Sequence, residues 1–188
     1  MAAEPSVSQH SIRRHRFRRA TATDAAAVAE LVASPDDLRQ VSPLETFPLE
    51  TATVMHWLLQ RNAGHVLEDR DGIVAYGELV PDDSRRDRVW IGHMIVHPRR
   101  RGLGLGQRLV QELLRVAEHE RQAREVAISA FEDNTRALRC YEGCGFRRVD
   151  REKVNGRPLV GMRLRFRSRA GSPDRMTLLM TGLVAATI

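Results

Sequence analysis

The sequence has few cysteines, few aromatic residues and no long apolar run. Its two cysteines, Cys140 and Cys144, form neither a disulfide framework nor a metal-ligand pattern, so we predict no metal site and a reducing, cytoplasmic setting. Aromatic residues make up 5% of the chain, which leaves no stacking platform for nucleic-acid bases. No stretch reaches the ~20 apolar residues of a membrane span, and residues 1–9 lack a signal-peptide pattern. We therefore expect a protein without membrane contacts.

Basic residues outnumber acidic residues. Thirty Lys and Arg residues against 24 Asp and Glu give a formal net charge of +6, and the excess is almost all arginine. Such an excess favours anionic ligands or partners, but it does not distinguish a cofactor phosphate from nucleic acid or a membrane surface. The length of 188 residues is typical of a single domain that buries most of its apolar surface.

The composition predicts three segments. Residues 1–14 form a flexible arm, residues 15–166 form the folded domain, and residues 167–188 form a C-terminal extension that becomes almost wholly apolar. The role of the extension is open between a packed helix, a homodimer contact and a disordered end. Five arginines lie around the first boundary: Arg13, Arg14, Arg16, Arg18 and Arg19. We interpret them as solvated charges, because no recognition-helix motif accompanies them.

Hydrophobic periodicity predicts an α/β domain with a mixed sheet and helices on both faces. Strands are expected at residues 15–20, 65–70, 73–80, 88–97, 124–131, 146–153 and 158–166. Helices are expected after a Thr23 cap, at residues 51–62, from Leu105 to Ala117, and at residues 133–142. Residues 35–48 carry three prolines and are predicted to form a loop.

The glycine-rich turn after the fourth strand is the clearest ligand-binding signal. Gly102, Gly104 and Gly106 leave the backbone accessible just before a helix N-terminus, a combination that suits a phosphate. A dinucleotide fingerprint, Gly-x-Gly-x-x-Gly, fails because Gln107 and Leu109 occupy the final position in the two registers that are open to it. A nucleotide-hydrolase phosphate loop fails because no Gly-Lys-Ser/Thr triplet is near.

Two motifs together resemble a known family. The turn reads Arg101-x-x-Gly104-x-Gly106, and downstream stands Asn134-x-x-Ala137-x-x-x-Tyr141-x-x-x-Gly145-Phe146. Both resemble signature blocks of the GCN5-related N-acetyltransferases (GNAT), and the resemblance covers about residues 16–166. It implies a single-domain, mostly antiparallel twisted sheet with a splayed central strand, and an acetyl group that passes from acetyl-CoA to an amine.

The resemblance also implies where acetyl-CoA would bind. The strand is expected to splay beyond Met94, where the pantetheine arm pairs with it as a pseudo-strand. The pyrophosphate would bind the turn, with Arg99 or Arg100 available to the ribose phosphate. The residues implied in cofactor binding are Ile95, Val96, Arg101, Gly102, Leu103, Gly104, Leu105, Gly106 and Asn134. Asn134 also has a plain role as a helix cap.

Tyr141 and Glu78 are the catalytic candidates. By resemblance, Tyr141 is the general acid that protonates the departing CoA thiolate, although a buried structural tyrosine is the alternative. Many family members carry a glutamate where this chain has Trp90, so we interpret Glu78 on the preceding strand as a substitute base. Strand alternation places His93 on the face opposite Trp90, away from this chemistry.

The resemblance leaves the acceptor open as a small-molecule or peptide amine. Residues 35–62 are expected to line its pocket, but they contain no residue cluster that names it. Two other functions stay in view, a catalytically weak acetyl-CoA sensor and a basic nucleic-acid-binding module. The two cysteines are interpreted as small helix residues rather than acyl carriers.

Overall fold

The structure of the chain, a computed structural model, describes residues 15–61 and 63–167. Within these residues, seven strands form one sheet in the order β1-β2-β3-β4-β5-β7-β6. The strands are β1 (Arg16–Arg19), β2 (Gly64–Asp69), β3 (Gly72–Pro81), β4 (Arg88–Val96), β5 (Glu125–Phe131), β6 (Arg147–Val154) and β7 (Arg157–Arg165). The helices are α1 (Ala25–Glu30), α2 (Pro35–Val41), α3 (Thr51–Arg61), α4 (Leu105–His119) and α5 (Thr135–Gly143).

Helices cover both faces of the sheet, which confirms the predicted α/β architecture. On one face, Leu109 and Leu113 of α4 are fully buried in a core that also takes in α5. On the other face, Val28 of α1 and Val54 of α3 pack in a second core around Tyr76 of β3. The two amphipathic layers therefore bury the sheet between them. Among the described residues, no helix is long and apolar enough to cross a membrane.

Helix α2 corrects the predicted loop at residues 35–48. Ser34 caps it by accepting a hydrogen bond from the Asp37 N–H at 3.1 Å, and Pro35 occupies the first turn. Pro at the first helical turn is favourable, since the N–H that it lacks has no partner there. The three prolines favour a loop, but Ser34-Pro35-Asp36-Asp37 has the residue types of a helix start.

The cap before α1 is also corrected. The N-cap residue of α1 is Asp24 rather than Thr23. A 3-10 turn at Ala22–Asp24 precedes the helix, and Thr21 is the N-cap residue of that turn. The Thr21 N–H donates to the Asp24 carboxylate at 2.7 Å. Arg18 donates to the same carboxylate at 2.7 and 2.9 Å.

Three of the five arginines that were interpreted as solvated charges make ion pairs with the domain. Arg18 also donates to Glu68 of β2 at 2.8 Å. Arg16 lies 3.4 Å from Glu68, and Arg19 lies 3.9 Å from Glu120. Arg13 and Arg14 lie outside the described residues, as do the predicted arm at residues 1–14 and the predicted extension beyond residue 167.

Strands β4 and β5 form the only parallel pair of the described sheet, and they separate early. Their pairing runs only from Arg88 with Glu125 to Ile91 with Ile128. Beyond that point β4 stays with β3 as far as Val96, while β5 stays with β7 as far as Phe131. The splay is confirmed, but it begins after Ile91 rather than after Met94, because each strand follows its antiparallel partner.

The closed end of the splay is held by Glu125. This residue is 1% exposed, and its carboxylate accepts from Arg165 at 2.7 Å and from Arg88 at 3.4 Å. Burial opposes ionisation, but these hydrogen bonds and the charge of Arg85 lower the pKa of Glu125 overall. A buried carboxylate matched by several cations is therefore stable in its charged form.

The Arg18–Asp24 contact predicts a pH-dependent stability. The hydrogen bond from Arg18 is the main reason that the pKa of Asp24 falls from 3.8 to about 2. A lowered carboxyl pKa stabilises the fold fully above pH ~4, and this stabilisation is lost as the pH falls through 2. Asp24→Asn should lower the free energy of unfolding by about 2 kcal/mol at pH 7.

The measurement is urea unfolding at pH 7 and at pH 2.5, with Asp83→Asn at an exposed loop position as the control. The difference between wild type and Asp24→Asn should shrink at the lower pH. An equal difference at both pH values would mean that the charge of Asp24 contributes nothing.

Candidate active site

A cleft of about 740 Å³ lies between the C-terminal half of β4 and α5. Its walls are the C-terminal half of β4, the glycine turn, the first part of α5 and one side of α2. Nine of the residues predicted from the sequence line it: Ile95, Val96, Arg101, Gly102, Gly104, Leu105, Gly106, Asn134 and Tyr141. The two distant motifs are thus brought together at one cleft.

The glycine turn has the geometry of an anion site. Gly102 (φ +82) and Gly104 (φ +78) adopt left-handed conformations, which glycine reaches at little cost. Gly104 is the N-cap of the 15-residue helix α4, so the free N–H groups of the first turn and the positive end of the helix dipole meet there. A Cβ on Gly106 would lie 3.3 Å from Cys140 Sγ, so this glycine lets α4 approach α5.

The charges around the cleft are mainly positive. Arg100, Arg101, Arg136 and Arg139 line it, against the two carboxylates of Asp37 and Asp133. Arg101 Nη2 lies 2.7 Å from Asp37, and its Nε donates to the Val96 carbonyl at 3.1 Å. These two contacts tie the turn to α2 and to β4. The surplus of positive charge suits a ligand with several phosphates.

Arg99 and Arg100, the two residues expected at the ribose phosphate, differ in position, because Arg100 lines the cleft and Arg99 does not. Arg99 and Leu103 line a neighbouring depression of about 380 Å³, to which Arg100 also contributes, and Leu103 is 41% exposed. Arg100 is paired with Asp71 at 2.7 Å. Arg136 and Arg139 of α5, which line the cleft, were not predicted. They occupy positions where the second motif accepts any residue. Only their spacing on helix α5 indicates that both lie on the same side of that helix.

Helix α2 reaches across the cleft. Gln40 Nε2 donates to Asp133 at 3.3 Å, and Arg157 donates to the same carboxylate at 3.0 Å. Arg157 also donates to the Arg39 carbonyl at 3.2 Å. Together with the Arg101–Asp37 pair, these bonds hold α2 at both walls. This helical wall of the cleft was not predicted, because the prolines of residues 35–48 indicate a loop.

Tyr141 is buried at the inner end of the cleft. It is 6% exposed and lies beside Phe146, with ring centroids 6.3 Å apart. Burial, and then the nearby Cys140 and Cys144, raise the pKa of Tyr141 above its usual value. The phenol therefore stays protonated at neutral pH and can donate a proton.

Asn134 and the cysteine pair have clear local roles. The Asn134 side chain accepts from the Ala137 N–H at 3.1 Å and caps α5, as predicted. Cys140 and Cys144 are both free. The hydrogen bond with Cys144, together with burial, raises the pKa of Cys140. A thiol that resists ionisation is a poor nucleophile, which argues against an acyl-carrier role for Cys140.

Glu78 lies away from this cleft, on the sheet face that α3 covers. It is 1% exposed and accepts a hydrogen bond from the Tyr76 hydroxyl at 2.6 Å. His93 lies beside it, with Nδ1 3.1 Å from Glu78 Oε2. The predicted orientation of His93 is therefore wrong. Trp90, by contrast, donates from its indole N–H to Asp82 at 2.7 Å.

Comparison with known proteins decides the family. The model described as the acetyltransferase (GNAT) family matches residues 32–146, more than half of the chain. The chain belongs to the GNAT family. Membership confirms the predicted enzyme class, an N-acetyltransferase, and its acyl donor, acetyl-CoA.

Individual relatives of this GNAT protein agree in fold and class. The spermine/spermidine N(1)-acetyltransferase of Bacillus subtilis is 27% identical over 139 residues, which cover 72% of this chain and 89% of the relative. A Salmonella typhimurium protein described as an acetyltransferase, solved with acetyl-CoA, superposes with a TM-score of 0.70 at 20% identity and covers 86% of this chain and 99% of its own. Spermidine N-acetyltransferase from Vibrio cholerae, solved with CoA and spermine, gives 0.66 at 18% identity and covers 81% and 96%.

The two unpredicted arginines yield a test of the donor cleft. Arg136→Gln combined with Arg139→Gln removes two positive charges from its wall. A unit charge about 4 Å from a phosphate contributes about 1 kcal/mol in water, or ~5-fold in affinity. We expect the KM for acetyl-CoA to rise 5- to 25-fold with kcat nearly unchanged, measured by initial rates of CoA release.

Arg99→Gln is the matched control, because Arg99 lies in the neighbouring depression. It should leave the KM unchanged. A rise in KM for Arg99→Gln alone would place the CoA phosphates outside the turn and would contradict this assignment.

Proposed function

We propose that the protein transfers the acetyl group of acetyl-CoA directly to a primary amine, in a small molecule or in a protein. The observation that carries the proposal is the cleft between β4 and α5, which joins the glycine turn to Tyr141. No covalent enzyme intermediate is required. The amine attacks the thioester carbonyl, and the tetrahedral intermediate collapses with loss of CoA.

In this proposal the donor lies along the splayed edge of β4. That edge has no strand partner beyond Ile91 within the described sheet, because β5 has turned away. An extended pantetheine arm with two amides can pair with Ile95 and Val96 as an added strand would. The pyrophosphate then reaches the N–H groups at the start of α4.

Tyr141 is proposed as the acid of the reaction. Its side chain lines the same cleft as Ile95 and Val96, so a thioester on the pantetheine arm would end near the phenol. The raised pKa of Tyr141 keeps its proton available. As the carbon–sulfur bond breaks, the CoA thiolate takes this proton and leaves as a thiol.

The acceptor is proposed to enter from the α3 side. Glu78, His93 and Trp57 come together on that face, where the sequence predicted the acceptor pocket. The Bacillus subtilis relative, whose name specifies spermine and spermidine, supports a small amine. Polyamines are therefore the first substrates to test, ahead of amino acids, aminoglycosides and peptide N-termini.

The acceptor must lose a proton before it attacks. An amine with a pKa of ~10.4 costs ~4.6 kcal/mol to deprotonate at pH 7, so a nearby base raises the rate. Glu78 and the groups that contact it are the titratable cluster on the acceptor face, and we assign the base function to this cluster.

Tyr141→Phe tests the proposal by removing the proton without changing the ring. We expect kcat to fall ~10²-fold or more, since a positioned acid typically contributes 10²- to 10⁴-fold. The affinity for acetyl-CoA, measured by calorimetry, should stay within twofold. Cys140→Ser, as a control at the preceding residue, should keep most of the activity.

The readout is CoA release across the amine panel. Unchanged turnover by Tyr141→Phe with every active substrate would remove this tyrosine from the mechanism. Thermal stabilisation of wild type by acetyl-CoA, without CoA release from any amine in the panel, would instead favour the acetyl-CoA sensor.

A further inference from the structure

A β-bulge in β4 places His93 on an unexpected face. Tyr76 of β3 faces Ile95, but Glu78 faces Gly92, so the single residue Gly77 opposes both His93 and Met94. His93 has φ +43, a left-handed conformation that is rare for a residue with a side chain. Such an outlier persists only where its surroundings enforce it, and it often marks a functional position.

The extra residue reverses the order of faces along β4. Ile91 packs on the α4 side before the bulge, and Met94 packs on that side after it. Met94 fills the space over Gly77, where a Cβ would lie 2.7 Å from its sulfur. His93 is thereby left to the α3 side, whereas regular alternation would have placed it with Ile91.

On the α3 side His93 is held between two groups. Its ring stacks on Trp57 with centroids 3.9 Å apart and planes 7° apart. Its Nδ1 lies 3.1 Å from Glu78 Oε2, outside the angle of a well-formed hydrogen bond. Contacts of this kind commonly tighten when substrate binds. Ring stacking and the carboxylate together fix which nitrogen faces inward.

Exposure distinguishes the roles of the two residues. The Glu78 side chain is 2% exposed and its other oxygen accepts from Tyr76, whereas the His93 side chain is 27% exposed. An incoming amine can therefore reach the imidazole but not the carboxylate. Among the described residues, the titratable groups placed against the ring include Glu78 and, behind it, Tyr76. Helix α3 contributes the uncharged Trp57.

We infer that His93 is the catalytic base that receives the acceptor's proton, and that Glu78 is a positioning residue that acts through it. The inference rests on the proposed function. Of the three protons on the ammonium, one passes to His93 Nε2 and then to solvent, one replaces the proton that Tyr141 gives to sulfur, and one stays on the amide. The nitrogen lone pair forms the C–N bond, and the C–S pair leaves as CoA thiolate.

The test compares the pH profiles of His93→Ala, Glu78→Gln and wild type with a polyamine as acceptor. At pH 7, His93→Ala should lose 10²- to 10³-fold in kcat/KM. The loss should shrink toward pH 10, where the amine is increasingly neutral without help. Glu78→Gln should retain more activity than His93→Ala, because it keeps the ring that receives the proton. Added imidazole should partly rescue His93→Ala.

The control is His119→Ala at the exposed C-terminal end of α4, which should match wild type. Acetyl-CoA affinity should be unchanged in all variants, since a fold defect would lower it. An unchanged pH profile in His93→Ala, or a loss that is equal at pH 7 and pH 10, would overturn the inference.

A second readout does not depend on activity. Nitrogen-15 NMR of the histidine rings should show His93 protonated at Nδ1 when neutral, with Nε2 free, and Glu78→Gln should weaken that preference. If wild type acetylates no amine but shows this tautomer, the proposed function fails and the geometry stands. If neutral His93 carries its proton on Nε2, the base assignment fails even if the enzyme is active.

Discussion

The short parallel pairing between β4 and β5 is the constraint on which the site depends. Each strand has an antiparallel partner on its other side, and those partners diverge, so only four residue pairs can form between them. The buried Glu125 and its arginines hold the closed end. Beyond Ile91, the edge of β4 that faces away from β3 has no strand partner within the described sheet. Its backbone N–H and C=O groups need a ligand, water or another strand as hydrogen-bond partners.

The bulge at His93 divides this edge into two functional faces. Met94 and Val96 stay with the α4 layer and the donor cleft, while His93 turns to the α3 layer beside Glu78 and Trp57. A single added residue thus sends neighbouring side chains of one strand to opposite faces of the sheet. Gly77 permits this, since any side chain there would collide with Met94.

Local structure could be predicted from the sequence where a residue type has one physical use. Glycines at left-handed positions and the Asn134 cap predicted the turn and the start of α5, and hydrophobic periodicity predicted every strand of the described sheet. Prediction failed where the outcome depends on partners that are distant in sequence. The orientation of His93 depends on a register shift between two strands, and α2 was hidden because Pro35 favours a loop and a first helical turn equally.

The most direct test of the account is a crystal structure of the complex with CoA. We expect the pantetheine along the edge of β4 that faces away from β3, with its amides on the backbone of Ile95 and Val96, and the pyrophosphate on the N–H groups at the start of α4. A complex with the phosphates bound in the depression lined by Arg99 and Leu103, and with the edge of β4 unoccupied, would contradict it.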